Sequence, residues 1–199
     1  MKPGNAADTG MNQGSQASSD IAEPDCKELN KRNADQRGKL GKDKAESIKS
    51  AFGKSGATTV AHGSLNGGPP IGAASRLLPS RYKHLAQGLW AEKSKAKRRK
   101  MRKSRRSNVC PEAPYRYSKA ARPHQSHCES KILETLFSGS PKPSGSLLLN
   151  INWQSSNNPN SKDPCAACEK LLCHAQNNCG IDILLCQKDP KKDAQPLEC

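Results

Sequence analysis

The chain has 199 residues, of which 33% are hydrophobic and 4% aromatic, and its mean hydropathy is −0.85. So little apolar material excludes a core running the whole length, and no stretch approaches the roughly 20 apolar residues of a membrane-spanning helix. The formal net charge of +15 is lopsided: residues 107–199 carry 10 Lys and Arg against 9 Asp and Glu, so attraction to polyanions belongs to the upstream half.

Residues 1–74 are rich in Gly, Ser, Asn, Asp and Ala and close on Gly67-Gly68-Pro69-Pro70. That composition predicts a long disordered, low-complexity region serving as linker or delivery segment. Within it, residues 43–52 offer one marginal helix with Asp43 as N-cap. The start, Met1-Lys2-Pro3-Gly4-Asn5, lacks the apolar stretch of a signal peptide. Localisation stays open, because a specialised secretion machine delivering the protein into a target-cell cytoplasm or nucleus requires no such peptide.

Residues 75–106 form a second region. Leu77, Leu78, Tyr82, Leu85, Leu89 and Trp90 fall near helical spacing, with Pro79 close to a start. The run over residues 93–106 then carries ten basic side chains in fourteen. It suits a solvated charge run, a nuclear-localisation-like signal, a protease-sensitive junction, or contact with nucleic-acid phosphates that weakens steeply with salt. It holds no aromatic residue, which argues against a base-stacking platform.

Residues 107–199 are expected to form the folded domain. Tyr115-Arg116-Tyr117 suggests a short strand or hairpin among Pro111, Pro114 and Pro123. Residues 128–137 predict a helix with Ile132, Leu133, Leu136 and Phe137 on one face. A turn over 139–145 leads to a buried-type strand over 146–153 and a polar loop over 154–162. A second helix is predicted from Pro164, capped by Asp163, to about Gln176, followed by a strand over 181–186. Helix, strand, helix, strand predicts a parallel pair with helices against the sheet, an α/β class.

Two motifs stand at the two helix starts: His127-Cys128-Glu129 and Pro164-Cys165-Ala166-Ala167-Cys168. Cysteines three apart in a first helical turn share one side of it. The positive end of the helix favours their thiolates. Each piece has an ordinary explanation as well. Ser126-x-x-Glu129 matches a capping box, and an isolated C-x-x-C suits any zinc knuckle or redox pair. Together they form the H-x-E…P-C-x-x-C signature of zinc-dependent nucleobase deaminases. In that chemistry His127, Cys165 and Cys168 would hold Zn2+, the fourth position would take water, and Glu129 would move protons without binding the metal.

Beyond the ligands, His127-Cys128-Glu129-Ser130-Lys131-Ile132-Leu133-Glu134 resembles the H-x-E-x-K-x-L-E pattern of deaminase domains at the C-termini of bacterial polymorphic toxins. The resemblance covers about residues 107–186. It implies the cytidine-deaminase-like fold, a three-layer α/β/α arrangement around a mixed sheet. It further implies hydrolytic deamination, most often of cytosine, in nucleic acid (single-stranded DNA or RNA) or nucleotide. The expected biology is that of a toxin, with an immunity protein as a possible partner. Such folds begin with a helix and a β-hairpin before the H-x-E helix. Residues 108–121 are short and proline-broken, so those first strands are expected to be truncated or irregular. Asn150, Asn152 and Trp153 are candidate base or ribose contacts, and Cys128 is assigned no ligand role.

Three competitors remain. Cys165, Cys168, Cys173, His174, Cys179 and Cys186 lie within 22 residues and suit a closed structural zinc site in a non-catalytic nucleic-acid-binding protein. Cys173, beside Leu171-Leu172, fits a buried thiol better. A secreted protein with Cys173, Cys179, Cys186 and Cys199 paired ranks lower, because nine cysteines is an odd number and clustered thiols suit metal ligation. For a cysteine hydrolase, the spacing suggests no group to orient His127 or His174. Base identity and oligomeric state are not written in these residues.

Overall fold

The computed structural model describes residues 24–43, 59–76, 78, 80–82, 84–86, 106–154 and 161–199. Helix α1 spans Cys26–Lys42; Asp25 caps it by accepting from the Glu28 amide at 2.7 Å. Strands β1 (Val60–Leu65) and β2 (Ile71–Ala74) form an antiparallel hairpin. After a 3-10 turn at Arg122–Ser126 come α2 (Cys128–Phe137), β3 (Gly145–Asn152), α3 (Ala166–Cys179), β4 (Ile181–Leu185) and the short β5 (Gln195–Pro196). The sheet is mixed, in the order β2-β1-β3-β4-β5, with β3 and β4 parallel as the helix–strand alternation requires.

Alternation along β3 divides the molecule into layers. Leu147, Leu149 and Ile151 enter one core with Ile132 and Leu133 of α2 and Leu171 and Leu172 of α3. Leu148 faces the opposite side, against Cys26, Leu29 and Cys186. Helix α1 covers that side, packing on β1 and β3. Gly180 ends α3 in the left-handed region at φ 67° and lets the chain turn straight into β4.

The boundary expected at residue 107 does not hold. Residues 26–42 and 60–74, assigned above to a disordered region, contribute one helix and two strands to the same sheet. Their signal is weak for physical reasons. The face of α1 toward the sheet is Cys26, Leu29, Asn33, Gln36 and Leu40, so two of the five residues of its helical stripe are amides. The hairpin is built from small residues, Val-Ala-His-Gly-Ser-Leu against Ile-Gly-Ala-Ala. Asp43 is the C-cap of α1 and no N-cap; residues 44–52 of the expected helix lie outside the described residues. A helix and a hairpin do precede α2, in residues 26–42 and 60–74 and not in 108–121. Tyr115-Arg116-Tyr117 contributes only an isolated antiparallel bridge, Arg106 to Arg116.

Of the helix expected near residues 75–90, the described part is a 3-10 turn at Ser80–Tyr82 and a bridge from Gly72 to Leu85; residues 87–90 lie outside the described set. Residues 93–105 of the basic run lie outside it as well. Among the described residues, no helix is long and apolar enough to cross a membrane.

Six cysteines pair: Cys26–Cys186, Cys110–Cys179 and Cys173–Cys199. This corrects two expectations. Cys173 is no buried free thiol, and the closed zinc site loses Cys173, Cys179 and Cys186 to disulfides. Cys128, Cys165 and Cys168 remain as thiols.

Candidate metal site and pocket

The site lies at one edge of the sheet. The first residue of β1, the last of β2 and the last of β3 meet there, since Val60 pairs with both Ala74 and Asn152. Both core helices begin at this edge, each with a site residue in its cap position. His127 is the N-cap of α2 and Cys165 the N-cap of α3; neither makes a side-chain capping bond. Helix α3 thus starts two residues later than expected, and Asp163 is no cap. The Cys165 carbonyl accepts the amides of Cys168 and Glu169, which turns the two sulfurs toward the same end of the helix. The Ser126–Glu129 capping box does not form, because the cap is one residue further on.

The sequence motifs converge. His127 Nδ1 lies 3.6 Å from Cys165 Sγ and 3.4 Å from Cys168 Sγ. Ligand atoms of His127, Glu129 and Cys168 lie within 4.8 Å of one another, a set able to hold a metal ion. Glu129 is 3% exposed, and its Oε2 has no hydrogen-bond partner among the described residues. Burial raises its pKa, so the carboxyl holds its proton more tightly than an exposed glutamate. Cys165 titrates low, chiefly because Cys168 hydrogen-bonds to it, and Cys168 is correspondingly raised. One proton is shared by the pair, with the charge on Cys165. Burial pulls His127 down, but the bond to Cys165 and the charges of Glu129 and Cys165 outweigh it and leave its pKa raised.

A cavity of about 370 Å³ opens onto this cluster, within the range of small-ligand sites. His127, Glu129 and Cys165 form its floor, with Trp153, Asp163 and Arg76 around them. Trp153 is where the sequence placed it. Asn150 and Asn152 are not. They point to the other face of the sheet, where Asn150 bonds Asn33 and Lys162, and Asn152 accepts from Arg37 at 2.8 Å. Strand alternation puts the even-numbered residues on the α1 side, which is the reason for this correction. The loop before the cysteines is closed by a bridge from Trp153 to Ser161; residues 155–160 lie outside the described set.

Sequence reasoning missed several residues of this edge. His124 has a ligand atom within 4.8 Å of those of His127 and Cys165. Its Nδ1 donates to the Ala121 carbonyl at 3.0 Å, leaving Nε2 as the lone-pair nitrogen. The His124-x-x-His127 spacing was the available signal. Buried Tyr117 donates to Ser130 Oγ at 2.9 Å, and Ser130 donates to the His124 carbonyl at 2.9 Å, which fixes this turn over α2. Lys131, 0% exposed, donates through Nζ to the Ala74 carbonyl at 2.6 Å and to that of Arg76. Arg76 has φ 71°, a left-handed conformation uncommon outside glycine, and its amide donates to Ser126. The lysine of the H-x-E-x-K string is therefore the tie between α2 and the strained pocket wall. Cys128 is fully buried; its thiol donates to the Thr59 carbonyl at 2.8 Å, and burial pushes its pKa up to about 12.

Comparison of the chain with protein families, curated proteins and solved structures finds no match.

Proposed function

We propose that this chain is a zinc-dependent hydrolytic deaminase of a nucleobase, of the toxin-associated type, with cytosine to uracil as the first conversion to examine. The observation that carries the reading is the unpartnered, buried Oε2 of Glu129 beside a His-Cys-Cys cluster on the floor of a ligand-sized cavity. Burying a carboxylate oxygen without a partner costs free energy, so a bound water or substrate hydrogen is its natural complement. The H-x-E-x-K-x-L-E resemblance names the chemistry.

The donor set fits zinc. A nitrogen at about 2.0–2.1 Å and a sulfur at about 2.3 Å from one tetrahedral ion stand about 3.6 Å apart. The His127–Cys165 and His127–Cys168 separations are 3.6 and 3.4 Å. When bound, zinc supplies the nucleophile by lowering the pKa of a coordinated water to about 7. Glu129 would take a proton from the attacking water and pass it to the ring nitrogen, then carry the remaining hydroxyl proton to the amine, which would leave as ammonia. The new bond is C–O, the broken one C–N, and the raised pKa of Glu129 suits a group that must hold a proton between steps. Trp153 offers a flat apolar wall to the base. Cys165 and Cys168 are pre-organised by the cap of α3.

His124 supports a second reading, a closed site in which its Nε2 is the fourth ligand and the protein binds nucleic acid without catalysis. Deamination of single-stranded DNA and RNA pools by the zinc-loaded full chain, read by sequencing, separates the two. Base conversion that falls about 100-fold or more in Glu129→Gln, with zinc retained, supports the deaminase. No conversion, together with zinc lost in His124→Ala, supports the closed site.

A further inference from the structure

A second groove, of about 530 Å³, adjoins the first across Cys165, which lines both. Its walls carry Arg116 and Lys170, both exposed, with His124 and the half-buried ring of Tyr115 between them. Among the described residues, no carboxylate lines it. Arg116 is paired through its backbone with Arg106, the last residue of the basic run. Tyr115 packs against Tyr117 and His174, with ring centroids 5.0 and 5.3 Å away.

Resting on the deaminase reading above, we propose that this groove seats the phosphodiester and neighbouring base that flank the target base, so that the substrate is a single-stranded polynucleotide and not a free nucleoside. The chemistry matches on each count. Two unshielded cations neutralise phosphates. An aromatic ring takes a base by stacking. The shared Cys165 places that contact next to the reacting position. The run lacks aromatic residues, and the groove supplies one.

The test uses the full chain as Glu129→Gln, loaded with zinc, and a labelled dodecamer of single-stranded DNA and its RNA counterpart. Arg116→Ala with Lys170→Ala should weaken binding about tenfold and reduce the slope of log affinity against log salt by about 2. An iodouracil next to the central cytosine should cross-link on irradiation to the peptide containing Tyr115. Both variants must retain zinc and melting temperature. Unchanged affinity and slope would overturn the groove, as would a cross-link confined to residues 93–106. Equal competition by polyglutamate would overturn it too, by showing a general acidic-polymer site. The deaminase reading fails separately: groove-dependent binding, with no base conversion by the unmutated chain, keeps the groove and removes the enzyme. Faster conversion of DNA or of RNA by the active protein names the sugar.

Discussion

Acidification should unfold this protein through His62 on the α1 side of the sheet. The ring is 8% exposed, and its Nδ1 lies 2.8 Å from Asn33 Oδ1. Asn33 spends its amide hydrogens on the Asn150 backbone and side-chain oxygens, so Oδ1 accepts and His62 donates as a neutral ring. Nε2 faces Gly72, where a side chain would stand 2.5 Å away. Burial, and secondarily the charges of Arg32 and His84, lower the pKa from 6.5 to about 4. The folded state therefore binds fewer protons than the unfolded one between these values. Stability from this group is fully present above pH 6.5 and is lost as pH falls toward 4. The drop of about 2.5 pH units corresponds to about 3 kcal/mol. Urea unfolding followed by circular dichroism, at steps from pH 7.5 to 4, measures it. The raised pKa of Glu129 acts with the opposite sign, so His62→Gln is run alongside. The stability difference between wild type and variant should shrink by about 3 kcal/mol on acidification. A constant difference would refute the neutral-ring argument.

Replacing Cys26 and Cys186 together by serine opens a loop of 160 residues; the chain-entropy relation gives a loss of about 5 kcal/mol, read by urea unfolding without reductant. Gly72→Ala drives a Cβ into the His62 ring and should cost about 1–3 kcal/mol; His62→Ala in the same chain should recover part of it in a double-mutant cycle. Lys131→Met removes the donor from the Ala74 and Arg76 carbonyls, with an expected loss of about 1–3 kcal/mol. That variant should also slow deamination without loss of zinc, because the Arg76 wall is released while the ligands stay. A strong chelator should remove one equivalent of zinc and abolish conversion, and Cys168→Ala should bind less than wild type by elemental analysis.

The site was more legible than the fold. His127, Glu129, Cys165 and Cys168 stand out in the sequence by their spacing, and the fold brings them together; the metal ligation and proton transfer proposed for them need particular atoms at such spacings. Helix α2, β3, α3 and β4 were legible because each carries a run of large apolar residues on one face. Helix α1 and the β1–β2 hairpin were not, because they are held by amide hydrogen bonds and close backbone approach. Asn33, Asn150, Lys162 and His62 form a buried polar layer that hydrophobic periodicity cannot register. The disulfide reading ranks low in the sequence although every cysteine it names, Cys173, Cys179, Cys186 and Cys199, is disulfide-bonded; most of the pairings escaped for another reason. Pairing joins residues up to 160 positions apart, and only the topology brings Cys26 beside the end of β4.

That pairing also sorts the sulfur chemistry. Each disulfide fastens a peripheral segment: α1 to β4, the stretch around Cys110 to the end of α3, and the C-terminus to α3. All three thiols lie near the start of α2 and α3, where Cys128 bonds Thr59 and Cys165 and Cys168 face His127. Among them Cys128 is kept protonated by burial and by its bond to Thr59, which removes it from ligation and from thiol exchange at neutral pH. Only Cys165 and Cys168 share a proton and hold a thiolate, and they do so beside a histidine. Oxidation able to form the scaffold would also join those two sulfurs unless a metal occupied them first. Under the proposed zinc site, metal loading and disulfide formation would be coupled through the order in which they occur. Refolding reduced chain in the presence of zinc should give three disulfides and an intact site, whereas oxidising before adding zinc should give four disulfides and protein unable to bind the ion. Equal zinc content by either route would show that the two sulfur populations are independent.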